Sequence, residues 1–391
     1  MSASSRSADR RLAAFFAAYF AAAGLMVAYF PLYLEHRGLS AVEIGLVLAV
    51  GQGMRVVGPN AWAYLADHSG HRLAVLRWTA LAIAASFALL FAPGGFVLVF
   101  CSMLAVNFFM TAQMPIGEAV ASSWMRTDPY AAARYGRLRA SGSITFISLV
   151  LIGGPLFDAF GIAWQPVLAM GLLVLLAVAA WRVEDRPHPA TTHEPVSLRA
   201  RLGEPQVRWF FASAALMIFA HGAMYTFLSI YLAQLGYSKT QIGIFWVAGI
   251  VVEVLFFYTQ GRFFARFDRL ALLAATFPIA ALRFFLTAEL ASVWPVLFFA
   301  QLLHAVTFAV HHSASILTIQ QWFPGAAAAR GQALYVSIAY GVGGSTGSLL
   351  AAWLWERFDP SAAFLSSSAA ALLGWAAVER TRRAARKALA V

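Results

Sequence analysis

Charged and imidazole side chains interrupt the long apolar stretches of this 391-residue chain. An ionised side chain at the centre of a membrane helix costs about 2.5–3.5 kcal/mol on insertion scales, so function is the default interpretation of such residues. Carboxylates and imidazoles exchange protons, and arginines bind anions. The candidates for such chemistry are Arg55, Glu118, Arg139, Glu253, Arg283, His304, His311 and His312.

These candidates fall into two groups along the chain. Glu118 and Arg139 lie in the first half, and both could simply be charges at a cytoplasmic helix end. Glu253, Arg283 and His304 lie in the second half, where the alternative to a functional role is a structural ion pair with a histidine beside it. The first group suits a hydroxyl-rich or a carboxylate ligand, and the second suits proton uptake and release.

Glu253 and Arg283 are predicted to form a buried pair. Counted from the cytoplasmic ends of their helices they lie 11 and 13 residues deep, which is a difference of about 3 Å at a rise of 1.5 Å per residue. The proton affinity of Glu253 would then change when the arginine moved. His304 and His311 are seven residues apart and should share a helix face, so either could relay a proton, whereas His312 points elsewhere.

Uncharged polar side chains also lie deep in the apolar stretches. Asn107 and Gln113, together with Gln52 and Gln301, could line a cavity with Arg55. The alternative is ordinary hydrogen bonding between membrane helices.

The elements that carry these residues must be membrane helices. The chain is 61% hydrophobic and 12% charged, against about 25% charged residues in a soluble domain. Twelve apolar stretches are long enough to span a bilayer, and only helices satisfy their backbone groups there. They are residues 12–34, 43–66, 73–92, 96–118, 137–158, 162–182, 208–232, 240–264, 270–288, 294–319, 331–355 and 362–379.

One motif occurs twice in the chain. YLEHRGLSAVEIG at 33–45 and YLAQLGYSKTQIG at 231–243 share six identical positions at an offset of 198, which also places Arg55 on Glu253. A polar, proline-rich segment at 183–207 separates the copies. We therefore predict an all-α membrane protein with a six-helix bundle at 1–182, a cytoplasmic linker, and a second bundle at 208–391, in the parallel-repeat arrangement of many secondary transporters.

The distribution of basic residues supports this helix count. With the N-terminus in the cytoplasm, 23 of the 28 Lys and Arg residues fall on the cytoplasmic side and three fall outside. This is the bias of the positive-inside rule. The net charge of +11 is therefore mostly topological, and no basic stripe with interleaved aromatics points to nucleic acid. Both termini are expected in the cytoplasm.

The segment WAYLADHSGHR at 62–72 resembles a loop signature of the major facilitator superfamily. Asp67, Gly70 and Arg72 match that signature, whereas Ala63, His68 and His71 depart from it. The resemblance implies that this loop latches the cytoplasmic side when the carrier faces outward. An ordinary basic loop after a helix end is the alternative.

Further segments resemble the branch that contains lactose permease and the 3-phenylpropionate transporters: YFPLYL at 29–34, MPIGE at 114–118, YGRLRASGSITF at 135–146, LRFF at 282–285 and LLHAVTF at 302–308. The resemblance implies that Glu118 and Arg139 bind substrate, and that Glu253, Arg283 and His304 couple protons. Thr307 stands where lactose permease has a carboxylate, so another group must hold the proton.

These observations predict a proton symporter that imports a small organic solute, with an aromatic carboxylate such as phenylpropionate favoured. A sugar or nucleoside symporter is the alternative, and a sensor or channel on the same fold is a further one. An enzyme is not expected, because His311 and His312 have no acid between Glu289 and Glu356 and no nucleophile signature accompanies them. We expect a monomer in the plasma (inner) membrane, driven by a proton gradient, with substrate, protons and lipids as partners and with no cofactor or metal.

Overall fold

The computed structural model describes residues 3–125, 130–185, 199–325 and 327–389. Within these ranges the chain is helical apart from turns and short connections, and no strand occurs. The first half contains α1 (Ala3–His36), α2 (Ala41–Ser69), α3 (Arg72–Ala88), α4 (Phe96–Met125), α5 (Ala131–Phe160) and α6 (Gln165–Arg182). The second half contains α7 (Arg199–Gly203), α8 (Pro205–Ala220), α9 (Gly222–Gln234), α10 (Lys239–Arg266), α11 (Arg269–Leu290), α12 (Trp294–Leu302), α13 (His311–Trp322), α14 (Ala327–Tyr335), α15 (Ser345–Arg357) and α16 (Pro360–Leu389).

Eleven helical segments in the described part of the chain are long and apolar enough to cross a membrane. One of them, Pro205–Gln234, joins α8 and α9. The predicted stretch 331–355 is helical too, because α14 and α15 are joined by the π-helical turn Val336–Gly344. Its run of glycines and hydroxyl residues makes it less apolar than the others. The predicted all-helical membrane fold is confirmed.

The first compact unit comprises residues 1–39, 57–191 and 237–244. In this unit α1 packs on α5 and α6, and α3 packs on α4 and α6. Small residues allow the close contacts that membrane helices need. Gly117 of α4 lies against the ring of Phe15, and Gly142 of α5 lies against the ring of Phe20, both on α1.

The second compact unit comprises residues 40–56, 192–236 and 245–391. Here α16 packs on α8 and α11, α8 packs on Val336–Gly344, and α9 packs on α15. The largest fully buried side chain of the described residues is a charged one, Arg283 of α11. A polar cluster therefore occupies the interior of this unit.

Two segments do not belong to the compact unit that the sequence predicted. Residues from the first half pack with the second unit, and residues from the second half pack with the first unit. Residues 40–56 form the beginning of α2, and residues 237–244 form the beginning of α10. Both segments overlap or directly follow the repeated motif. The predicted division at 1–182, 183–207 and 208–391 stays a prediction, and residues 186–198 of the predicted linker lie outside the described residues.

Candidate functional site

In the first unit, Glu118 and Arg139 lie side by side on neighbouring helices. Arg139 Nη1 of α5 is 3.8 Å from Glu118 Oε1 of α4, and the two side chains are 39% and 42% exposed. The Tyr135 hydroxyl donates a hydrogen bond to the same oxygen at 3.2 Å. The Arg139 guanidinium lies 4.9 Å from the ring centroid of Phe20 on α1. A cation, a carboxylate and two aromatic rings are thus brought together.

Arg139 also has an unsatisfied donor. Its Nη1 atom is buried, and no hydrogen-bond acceptor for it exists in the described ranges. A buried donor without an acceptor is uncommon in proteins, and a ligand oxygen is one way to satisfy it. The pair can therefore accept an anionic or hydroxyl-bearing ligand.

The two amides predicted for this region have other partners. Gln113 is fully buried and donates to Thr79 Oγ1 at 2.7 Å, so it joins α4 to α3. Asn107 donates to the Met103 carbonyl oxygen at 2.7 Å within its own helix. Both contacts are those of ordinary helix packing.

Arg55 clusters with the second unit and not with Glu118 and Arg139, the group with which it was predicted. Its guanidinium lies 5.4 Å from the ring centroid of Tyr340. The Tyr340 hydroxyl is in turn 3.3 Å from His312 Nδ1. Arg55 thus joins a chain of aromatic and imidazole groups.

Arg283 lies in the interior of the second unit and is 1% exposed. No carboxylate lies within 4.0 Å of it among the residues that the structure describes. Its contacts are with the neutral groups Ala300 O at 3.1 Å, His221 Nε2 at 3.3 Å, Thr307 Oγ1 at 3.1 Å, Met224 Sδ at 2.9 Å and Gln301 Oε1 at 3.3 Å.

The predicted ion pair between Glu253 and Arg283 is therefore not formed. Glu253 Oε2 of α10 instead lies 3.7 Å from His304 Nε2, and the Glu253 side chain is 17% exposed. The neutral groups around Arg283 already engage all three of its guanidinium nitrogens. The two residues have similar predicted depths along their helices, but their side chains have different partners.

A π-helical turn, Ala305–Val310, separates His304 from His311. A π-helix winds less per residue than an α-helix, so seven residues do not return the chain to the same face. His304 stands near His221, with ring centroids 5.8 Å apart. His311 Nδ1 is 3.2 Å from Thr276 Oγ1 of α11. The two histidines thus have different neighbours.

His221 is a functional candidate that the sequence analysis missed. It lies between α8 and α9, is fully buried and contacts Arg283. The criterion that selected the other histidines, an ionisable group in an apolar stretch, applies to it equally, because 208–232 was predicted to be a membrane helix.

The predicted latch residues lie where α2 ends and α3 begins. The Arg72 guanidinium binds the carboxylate of Asp185, which also accepts from Ser123 Oγ at 3.2 Å. Gly70 has φ of 65° and makes the turn, a conformation that glycine adopts without strain. Asp67 lies in α2, and its side chain is outside the described part of the structure.

Comparison with known proteins decides the family. The family model described as "MFS_1 like family" matches residues 10–366, most of the chain. The chain belongs to this family. It is therefore a major facilitator transporter of small solutes and an integral membrane protein, and not an enzyme, as predicted.

Similar proteins include two curated transporters. The chain is 28% identical to the "Probable 3-phenylpropionic acid transporter" of Escherichia coli (strain K12), over 85% of this chain and 87% of that protein. It is 23% identical to the "Maltose permease" of Geobacillus stearothermophilus, over 92% of this chain and 91% of that protein.

A solved structure of the same fold is that of the nucleoside transporter NupG. It superposes with a TM-score of 0.84 at 15% identity, over 96% of this chain and 98% of that chain. At this identity the similarity concerns the fold alone. The predicted resemblance to the major facilitator fold is confirmed.

Proposed function

We propose that this major facilitator protein is a proton symporter that imports a small aromatic carboxylate by alternating access. The observation that carries the proposal is the unsatisfied Nη1 donor of Arg139, which lies beside Glu118 and stacks on Phe20. The similarity to a protein named as a probable 3-phenylpropionic acid transporter supports it. In this proposal the protein lies in the plasma (inner) membrane as a monomer with both termini in the cytoplasm.

Arg139 would bind the substrate carboxylate. A guanidinium presents paired N–H donors that match a carboxylate, and the ring of Phe20 offers an apolar face to an aromatic ring. The substrate anion would compete with Glu118 for Arg139. The Tyr135 hydroxyl, which donates to Glu118 at 3.2 Å, would stabilise the displaced carboxylate.

Glu253 would carry the proton in the second unit. It is a mostly buried carboxylate that lies 3.7 Å from His304 Nε2. A buried carboxylate without a permanent cation beside it can exist in its protonated, uncharged form at modest cost. Co-transport of one proton with one carboxylate anion would move no net charge.

A sugar or nucleoside symporter is the second candidate. Glu118 is 42% exposed and accepts the hydrogen bond from Tyr135 on Oε1, so its second oxygen can accept from a ligand hydroxyl. The similarity to a maltose permease supports this alternative.

Uptake into proteoliposomes separates these candidates. Labelled 3-phenylpropionate, maltose and a nucleoside are tested with and without an inward proton gradient, and a protonophore is the control. We expect gradient-driven accumulation of the aromatic acid, and a loss of at least about tenfold in Arg139→Gln, the equivalent of about 1.4 kcal/mol. Arg137→Gln, on the exposed surface of the same helix, is the matched control. Accumulation of maltose or the nucleoside alone would favour the second candidate, and downhill flux without accumulation would favour a channel.

A further inference from the structure

His221 has a defined tautomer. Its Nδ1 lies 2.8 Å from the carbonyl oxygen of Met217, one turn earlier. A carbonyl oxygen only accepts, so Nδ1 must carry the hydrogen. Nε2 of the neutral ring is then an acceptor, and it lies 3.3 Å from Arg283 Nη1 and 3.3 Å from Thr307 Oγ1.

A second proton on His221 is incompatible with Arg283 in its present place. A protonated Nε2 would be a donor that faces another donor, and two like charges would lie 3.3 Å apart in a buried site. The other groups that contact Arg283 are neutral and do not offset this repulsion.

The titratable groups around His221 come from several elements. The ring of Tyr225 of α9 stacks on that of His221 with centroids 6.0 Å apart, and the ring centroid of His304 lies 5.8 Å away. Arg283 faces it from α11, and Glu253 of α10 reaches the cluster through His304. His311, whose Nδ1 is 3.2 Å from Thr276 Oγ1, lies further from His221, because Thr276 is seven residues, or about two helical turns, from Arg283 on α11.

We propose that His221 is the positioning residue for Arg283. Its Nε2 lone pair holds the guanidinium among neutral groups, which leaves Glu253 without an arginine partner. A proton on Nε2 removes that lone pair and releases Arg283. The released guanidinium can then pair with Glu253, the carboxylate of the cluster. The release step rests on the proposed proton coupling, whereas the positioning step does not.

Two substitutions separate acceptance of a hydrogen bond from protonation. Glutamine at 221 offers Oε1 to Arg283 but takes up no proton, and leucine offers no acceptor. As the pH falls through about 6.5, unfolded chains gain a proton at His221, but the folded chain with Arg283 in place does not. The unfolding temperature of the wild type should therefore fall between about pH 7.5 and about pH 5.5 by more than that of His221→Gln.

The measurement is thermal unfolding of the purified protein in detergent, which needs no substrate and so tests this inference apart from the proposed function. His221→Leu should unfold at a lower temperature than His221→Gln at both pH values. His312→Gln is the matched control, because His312 contacts Tyr340 and not Arg283. The same pH dependence in His221→Gln and the wild type, or equal stability of the Gln and Leu variants, would overturn the proposal.

A second, independent feature lies at the beginning of α2 and of α10, the two helices that start within the repeated motif. The Asp158 carboxylate at the end of α5 accepts from Lys239 N at 2.8 Å and Thr240 N at 2.9 Å, and from the Thr240 hydroxyl at 2.6 Å. These N–H groups belong to the first turn of α10, where they have no partner within the helix. The carboxylate also complements the positive end of the helix dipole.

Glu356 at the end of α15 makes the equivalent contact with α2. Its Oε2 accepts from Val42 N at 2.8 Å. When the two halves of the sequence are aligned at the offset of 198, Asp158 aligns with Glu356 and Val42 aligns with Thr240. The same bond thus occurs twice, each time between a carboxylate of one copy and a helix beginning of the other.

Close backbone packing accompanies each contact. A Cβ atom on Gly154 of α5 would lie 2.7 Å from Thr240 Cα, and a Cβ atom on Gly45 of α2 would overlap Ala352 of α15. Each helix beginning is therefore pressed against the helix that supplies its carboxylate. This packing explains why 237–244 and 40–56 cluster as they do.

We infer that Asp158 and Glu356 are paired clasps that hold the beginnings of α10 and α2 in the present conformation. Both must release when the transporter changes conformation, so the inference rests on alternating access. Neutralising the clasps should shift the population towards the released conformation.

Alkylation of buried cysteines tests the clasps. Ile242 and Ile44 are equivalent by the repeat and buried, so Ile242→Cys and Ile44→Cys are made in a Cys101→Ser background. Asp158→Asn should raise the rate of labelling at position 242 several-fold, and Glu356→Gln should raise the rate at position 44 several-fold. The variant that carries both substitutions should be labelled fastest at both positions.

The control is Asp359→Asn, because Asp359 caps its own helix through Ala362 N at 2.7 Å. Unchanged labelling in the double variant, or an equal increase in Asp359→Asn, would overturn the inference. Labelling requires no transport, so a wrong substrate class would not affect the result.

Discussion

Glu253 Oε2 lies 3.7 Å from His304 Nε2, while Arg283, the predicted partner of Glu253, is held by neutral groups. The buried acid and the buried arginine are thus kept apart in this conformation. The separation matters for transport, because a carboxylate beside an imidazole can lose its charge by taking up a proton, and a carboxylate beside a guanidinium resists it.

We expect Glu253→Gln to abolish gradient-driven uptake and to leave exchange of substrate across the membrane largely intact. The amide imitates the protonated carboxylate, so the carrier can still change conformation but has no proton to release. Uptake with a proton gradient and counterflow without one are compared in the same proteoliposomes. Glu289→Gln, at the exposed end of α11, is the control. Accumulation at the wild-type level would make His304 the next candidate.

The fold could be predicted from sequence because its determinants are one-dimensional. Apolar length, loop charge and the 198-residue offset need no knowledge of which side chains touch. The ion pair was predicted wrongly because depth along a helix says nothing about rotation around its axis. Glu253 and Arg283 have similar predicted depths but contact His304 and His221 respectively.

Local helix geometry limited the prediction further. No sequence signal located the π-helical turn Ala305–Val310, which separates His304 from His311. The role of Asp158 was also missed, because only basic residues were used to assign the topology. Its contact with Thr240 crosses 82 residues and depends on how the helices pack.

Tyr135→Phe should raise the substrate concentration for half-maximal uptake by about two- to tenfold. The hydroxyl that donates to Glu118 at 3.2 Å would be lost, and a typical hydrogen bond contributes about 0.5–1.5 kcal/mol net. Phe20→Leu should have a larger effect on an aromatic acid than on an aliphatic acid of equal length. Concentration-dependent uptake measures both, and equal effects on the two acids would contradict the stacking role of Phe20.

The transmembrane topology is open to direct measurement. In a Cys101→Ser background, single cysteines at 37, 195 and 330 are labelled with a membrane-impermeant reagent in whole cells and in inverted vesicles. The bias of basic residues predicts labelling of position 37 from outside and of positions 195 and 330 from the cytoplasm. Labelling of position 195 from outside would contradict the topology.

Arg283→Ala should lower the folded yield severely, and adding Glu253→Ala should not restore it. A buried ion pair that loses one partner is rescued by removal of the other, because the remaining charge is what costs about 3–5 kcal/mol. Arg283 has no such partner here, and its loss leaves a cavity lined by Thr307, Gln301 and His221, with about 1–3 kcal/mol for each buried acceptor left unsatisfied. Arg283→Lys keeps the charge but cannot reach all of these acceptors, so its yield should be intermediate. Size-exclusion profiles of the four proteins in detergent, wild type included, provide the measurement. Recovery of the double variant to the wild-type yield would show that Glu253 and Arg283 pair after all.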